Sequence, residues 1–208
     1  MNKISELIKA NKNDIIKPVV VLLAICIVIP LALSLTNKVT VNRIAALEKE
    51  NEEKAMALLI EADQFELNTF EGKDGSFDFH IAKSADGEAV GYIFITSAKG
   101  YGGEVSVMTA VGVDGKIKEI SILDASNETP GLGQNVTKDK FYSQFEGMGP
   151  ETTVVKSGAE SKNNEVNAVT GASISSRAVN SAVNKAMQNF AEYSNATFTD
   201  TEVAAVEE

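Results

Sequence analysis

The residues best suited to chemistry lie in the stretch Asn167-Ala-Val-Thr-Gly-Ala-Ser-Ile-Ser-Ser176. Thr170, Ser173, Ser175 and Ser176 supply hydroxyls, and Gly171 and Ala172 leave the backbone open to close approach. An amphipathic helical pattern starts here, and free amides at a helix start favour an anion, phosphate above all. By spacing alone, the same pattern also fits an N-cap with additional serines. A second concentration of turn formers, Asn127-Glu-Thr-Pro-Gly-Leu-Gly133, precedes it. Pro130, Gly131 and Gly133 imply a tight backbone, beside which Glu128 and Thr129 offer hydrogen-bonding groups. On its own residues this loop reads first as a turn between a strand and a helix. A dinucleotide fingerprint is excluded, because Val136 occupies the third glycine position and no acidic residue in a strand follows at the usual distance.

The inventory of metal ligands is short: the chain has one cysteine, Cys26, and one histidine, His80. Iron–sulfur clusters take about four thiolates and haem takes a strong axial ligand, so neither fits and no metal site is expected. Cys26 falls within an apolar run and is expected in lipid, and His80 is expected half-exposed on an alternating strand. A net charge of -10 speaks against a nucleic-acid surface, which needs clustered Lys and Arg. If this chain handles electrons, an organic cofactor must carry them.

The elements that position these residues are read from periodicity. No residue from Pro18 to Asn37 is charged, which predicts a retained transmembrane helix rather than a cleaved signal peptide. Lysines lie on both sides of this run, so charge alone weakly favours an inside N-terminus. Val39 to about Gln64 is rich in Ala, Leu, Glu and Lys and predicts a helix. Period-two alternation follows in Phe77, Phe79 and Ile81, and again in Val90, Tyr92, Phe94 and Thr96 after the turn Asp86-Gly87. Val105–Val113 and Ile117–Leu123 flank Asp114-Gly115, a hairpin signal. Short turns between strands imply antiparallel pairing. Phe141–Phe145 reads as a short helix, and Ser175–Tyr193 as an amphipathic one with Val179, Ala182, Val183, Ala186 and Phe190 on one stripe.

The Asn167–Ser176 stretch resembles the flavinylation motif of FMN-binding domains, an acidic residue ahead of a Ser/Thr-Gly-Ala-Thr/Ser core. In that family the last hydroxyl residue of the core carries FMN through a phosphodiester bond made by a flavin transferase. The resemblance puts that bond on Ser173, with Thr170, Gly171 and Ala172 completing the core. Asn167 stands where the family usually has Asp, and Ser173 where Thr is commonest, which keeps the needed oxygen. Independently, Asn127–Gly133 and Gly100-Tyr-Gly-Gly103 resemble segments of the G subunit of the Rnf complex, a membrane-bound ion-translocating ferredoxin:NAD oxidoreductase. The likeness covers Pro18 to about Tyr193, with all segments in the same order.

The resemblance implies an α+β fold: a transmembrane helix followed by one FMN-binding domain with a largely antiparallel sheet flanked by helices. The expected divisions are a cytoplasmic segment at 1–17, the span at 18–37, a linker helix at 38–70, the FMN-binding domain at 71–195 and an acidic disordered tail at 196–208. The implied function is a non-autonomous electron-carrying subunit of the Rnf oxidoreductase, with covalent FMN and no catalytic residue of its own. The flavin contacts expected are Ser173, Thr170, Gly171, Ala172, Glu128, Thr129, Gly131, Leu132, Gly133, Tyr101 and Gly102. The implied partners are the other Rnf subunits and the flavin transferase, in a cell membrane with the soluble domain outside the cytoplasm. Two alternatives stand beside this: the C subunit of the sodium-pumping NADH:quinone oxidoreductase, and a flavin-free membrane-tethered binding module.

Overall fold

The computed structural model describes residues 12–73, 75–160 and 162–204. The chain divides into two compact units, Met1–Glu50 and Asn51–Glu208. Helix α1 (Lys12–Leu59) supplies the described part of the first unit and enters the second with its last turns. Within it, Ile16–Val41 is long and apolar enough to cross a membrane. At about 1.5 Å per residue its 26 residues extend about 39 Å, against about 30 Å of hydrocarbon. Its large side chains from Val19 to Leu35 are exposed, and a helix that is apolar all round needs an apolar surrounding. Thr36 and Thr40 donate their hydroxyls to the carbonyls of Ala32 and Thr36, at 2.9 and 3.0 Å, so these polar groups are satisfied within the helix. Pro30 sits inside it, as membrane helices tolerate. Of the expected cytoplasmic segment, residues 1–11 lie outside the described residues.

In the second unit, β1 (Gln64–Gly72), β2 (Gly75–Lys83), β3 (Ala89–Lys99), β4 (Glu104–Gly112) and β5 (Ile117–Asp124) form one sheet in sequential order. Every neighbouring pair in it is antiparallel. Short turns at Asp86-Gly87 and Asp114-Gly115 force this meander, as the sequence predicts. After a loop and three short helical turns, Thr153–Val155 (β6) and Glu165–Asn167 (β7) pair in parallel, and α3 (Ser173–Ala204) follows the short helix α2 (Asp139–Tyr142) as the last helix.

Both faces of the sheet are covered. Phe79, Phe94, Val105, Val107, Val111 and Ile120 pack in one core with Val179, Ala182, Val183, Ala186 and Met187 of α3. The buried Thr96 hydroxyl donates to the Ala182 carbonyl at 2.7 Å, tying β3 to that helix. On the other face Ile93, Met108 and Ala110 pack with Met56 and Leu59 from the end of α1.

Two expectations are corrected. The linker helix at 38–70 ends at Leu59, and β1 occupies Gln64–Gly72, paired with β2 along its length. Phe65 and Phe70 of β1 pack in opposite cores, while Leu67 is left exposed, so no clean alternation marks this edge strand. Helix α3 continues to Ala204, through most of the segment 196–208 expected to be disordered. A packed helix propagates with one hydrogen bond per added residue, and no Gly or Pro interrupts this one. Residues 205–208 lie outside the described residues.

Candidate functional site

Strand β7 delivers the chain to the hydroxyl-rich segment, and side-chain bonds hold it there. Gln144 brackets Asn167: its Oε1 accepts from the Asn167 amide at 2.9 Å and its Nε2 donates to the Asn167 carbonyl at 3.3 Å. The Ala168 amide donates to the Val155 carbonyl at 3.0 Å. Buried Ser176 closes the loop onto the helix, accepting from the Val169 amide at 2.9 Å and donating to the Ala172 carbonyl at 2.9 Å. Gly171 has φ +78°, and a Cβ there would lie 2.7 Å from Leu132 Cδ2, so both backbone and space call for glycine.

The loop after β5 meets this segment. Tyr101, Thr129, Leu132, Gly133, Gly171, Ala172, Ser173, Ile174 and Ser175 line one cavity of about 470 Å³. Three stretches far apart in the chain therefore share one wall. Ser173 is exposed at the first residue of α3, where backbone amides lack intrahelical partners. Tyr101, Leu132 and Ile174 are 71%, 44% and 51% exposed, an unusual grouping of large apolar side chains around one hydroxyl.

Of the residues singled out from sequence, Tyr101, Thr129, Leu132, Gly133, Gly171, Ala172 and Ser173 meet at this cavity. Thr170 faces elsewhere: it shares a hydrogen bond of 2.8 Å with Ser157, and both line a neighbouring cavity of about 680 Å³ with Lys138 and Lys140. Gly131 is exposed in the turn and is not part of the lining. Gly102 packs against the loop, where a Cβ would fall on the Asn127 carbonyl oxygen. Glu128 differs most from expectation, being 1% exposed and directed inward. It accepts from the Ser175 hydroxyl and, at 3.0 Å, from the Gly102 amide. Sequence reasoning missed Ile174 as a lining residue and named Ser175 only as a nearby hydroxyl, outside the expected flavin contacts. An isoleucine off the Val179–Phe190 stripe, at the exposed start of the helix, is the signal that would have found the first.

His80 is half-buried on β2 and stands apart from this cavity's lining, among residues around Asp78, Thr96 and Lys185. Desolvation pushes its pKa below the ordinary 6.5, against the opposing pull of Glu52 and Asp78.

The FMN-binding domain family matches residues 100–188, a range that contains every lining residue of the cavity. The chain is 39% identical over 132 residues to the G subunit of the proton-translocating ferredoxin:NAD(+) oxidoreductase complex of Clostridium ljungdahlii, covering 63% of this chain and 66% of that protein. It is 34% identical over 199 residues to the G subunit of the Na(+)-translocating ferredoxin:NAD(+) oxidoreductase complex of Acetobacterium woodii, covering 88% of this chain and 95% of that protein. Among solved structures, the C subunit of the Na(+)-translocating NADH-quinone reductase from Parabacteroides distasonis shares the fold, with a TM-score of 0.50 and 22% identity over 58% of this chain and 63% of that one. The chain thus spans less than two thirds of that solved protein, and the likeness is one of fold alone. The likeness to the Acetobacterium woodii protein runs through almost all of it, and on that ground the chain belongs to the family of G subunits of ion-translocating ferredoxin:NAD(+) oxidoreductase complexes.

Proposed function

We propose that this chain is the electron-transfer subunit of a membrane-bound ion-translocating ferredoxin:NAD oxidoreductase complex, carrying FMN esterified to Ser173. The observation that carries the reading is the convergence of three separate segments on one cavity with an exposed serine in its wall. The residues present fit the group. The cavity falls in the range of about 300–1,000 Å³ usual for small-molecule sites. Tyr101, Leu132 and Ile174 offer apolar surface that a planar ring would cover, and the start of α3 offers amides and a positive dipole end to a phosphate.

When bound, FMN supplies reversible electron transfer; the protein supplies binding, orientation and electrostatics. In attachment, Ser173 Oγ forms the new bond to phosphorus of an activated flavin nucleotide. The donor's leaving group departs with the electron pair of the broken P–O bond, and the hydroxyl proton passes to a base of the flavin transferase. Gly171 lets the acceptor loop turn close against Leu132, and Ser176 holds that loop against the helix. Covalent attachment prevents loss of the cofactor from a domain placed outside the cytoplasm. Ile16–Val41 anchors that domain as a single span beside the other subunits of the complex.

Mass spectrometry of chain expressed with a flavin transferase tests the reading. An FMN-sized addition on the peptide containing Ser173, and loss of in-gel flavin fluorescence in a folded Ser173→Ala variant, are the expected results. An unmodified peptide from a competent host would overturn it and leave a flavin-free tethered module.

A further inference from the structure

We propose that Glu128 is the positioning residue of the flavin site, joining the three segments of its wall and holding a carboxylate one hydroxyl behind the cavity's lining, where its charge would lower the midpoint potential of a flavin bound there. The inference rests on the FMN reading above.

Burial of a carboxylate is strongly unfavourable unless its oxygens find donors, so a fully enclosed Glu is retained only in a surrounding shaped for it. Glu128 is 1% exposed and ranks among the largest fully buried side chains. Each of its oxygens has a donor from a different part of the chain: the Gly102 amide at 3.0 Å and the Ser175 hydroxyl. Glycines clear the space around it. A Cβ at Gly100 would run into Oε1, and one at Gly133 would run into Oε2. The 100–103 turn, the 127–133 loop and the first turn of α3 therefore meet at this side chain.

All three stretches also face the cavity, through Tyr101, Thr129, Leu132, Gly133 and Ser175. Ser175 lines the cavity and binds Glu128, which places the carboxylate directly behind the wall. A negative charge held there, in a poorly screened interior, would oppose the charge that the ring gains on reduction, and such charges tune flavin electronics. Glutamine keeps the shape: its oxygen can accept from the Gly102 amide, and its nitrogen can donate to Ser175 Oγ. The charge alone is removed.

The test uses the full chain expressed with a flavin transferase, a spectroelectrochemical titration of the bound flavin, and near-ultraviolet circular dichroism to check the fold. Glu128→Gln, folded and yellow, is expected to show a midpoint potential more positive than wild type. Glu66→Gln, which removes one charge from edge strand β1, is expected to leave the potential unchanged. A folded, yellow Glu128→Gln with an unmoved or more negative potential would overturn the proposal while the FMN reading stands. If Glu128→Gln does not fold, Glu128→Met serves for the same comparison, with the same positive shift expected. Failure of both to fold would make Glu128 an architectural residue only and would equally overturn the proposal. A colourless wild-type chain would instead remove the FMN reading, and this inference with it.

Discussion

At the scale of single residues, the proposed function places the flavin on one hydroxyl and makes the space around it matter. Ser173→Thr keeps the oxygen proposed to bond phosphorus, so it is expected to retain covalent flavin, with fluorescence in denaturing gels as the check. Gly171→Val meets two obstacles at once, a left-handed φ and Leu132 at 2.7 Å from the new Cβ. The conformational part alone costs about 1–2 kcal/mol, read as a lower urea midpoint, and flavin incorporation should fall with it. Ser173 and Gly171 are legible in the sequence through the flavinylation-like motif, since by spacing alone the same residues fit an N-cap. The direction of Glu128 is not legible: a glutamate in a polar loop reads as a solvent-facing ligand until Gly102 and Ser175 are seen to enclose it.

At the scale of elements, α3 is held at both its start and its middle. Ser176 fixes the start, and Asn184 binds the buried Thr152, accepting from its amide at 2.9 Å and donating to its carbonyl at 2.8 Å. Asn184→Ala leaves a buried amide without that partner, for an expected loss of about 1–3 kcal/mol on chemical denaturation. Strand β1 completes the sheet's edge and the last turns of α1 cover one of its faces, since Phe65, Met56 and Leu59 share one cluster with Ile93 and Met108. A chain beginning at Asn51 is therefore expected to be soluble and monomeric in size-exclusion chromatography. One beginning at 71, the boundary expected from sequence, would expose β2 as a raw edge and an apolar face, and should aggregate. Strands β2 to β5 are legible because alternation and Asp-Gly turns reinforce each other. Strand β1 is not, because its pairing partner supplies the order that its own residues lack.

At the scale of the whole molecule, the apolar run and the folded domain behave as separate physical systems. The full chain is expected to pellet with membranes and resist extraction by salt, and removal of residues 1–41 should release it into the soluble fraction. The domain's stability should also depend on pH through His80, whose folded pKa lies below the ordinary 6.5 mainly because of desolvation. As pH falls below 6.5 the unfolded chain takes up this proton first, so stability present above that value is lost progressively towards the folded pKa. A thermal midpoint that declines over this window, and declines less in His80→Gln, is the expected outcome. The amino-acid sequence alone determined what depends on neighbouring residues: an uncharged run long enough for a bilayer, hairpin turns, an amphipathic stripe and a serine in a flavinylation-like motif. Only the tertiary structure decided which residues meet: that Tyr101, Leu132 and Ser173 share one cavity, that Thr170 faces another, and that Glu128 turns inward. Local propensity acts through a few bonds of backbone, whereas these contacts join segments separated by tens of residues. They exist only once the sheet, its two covering helices and the buried carboxylate have packed together.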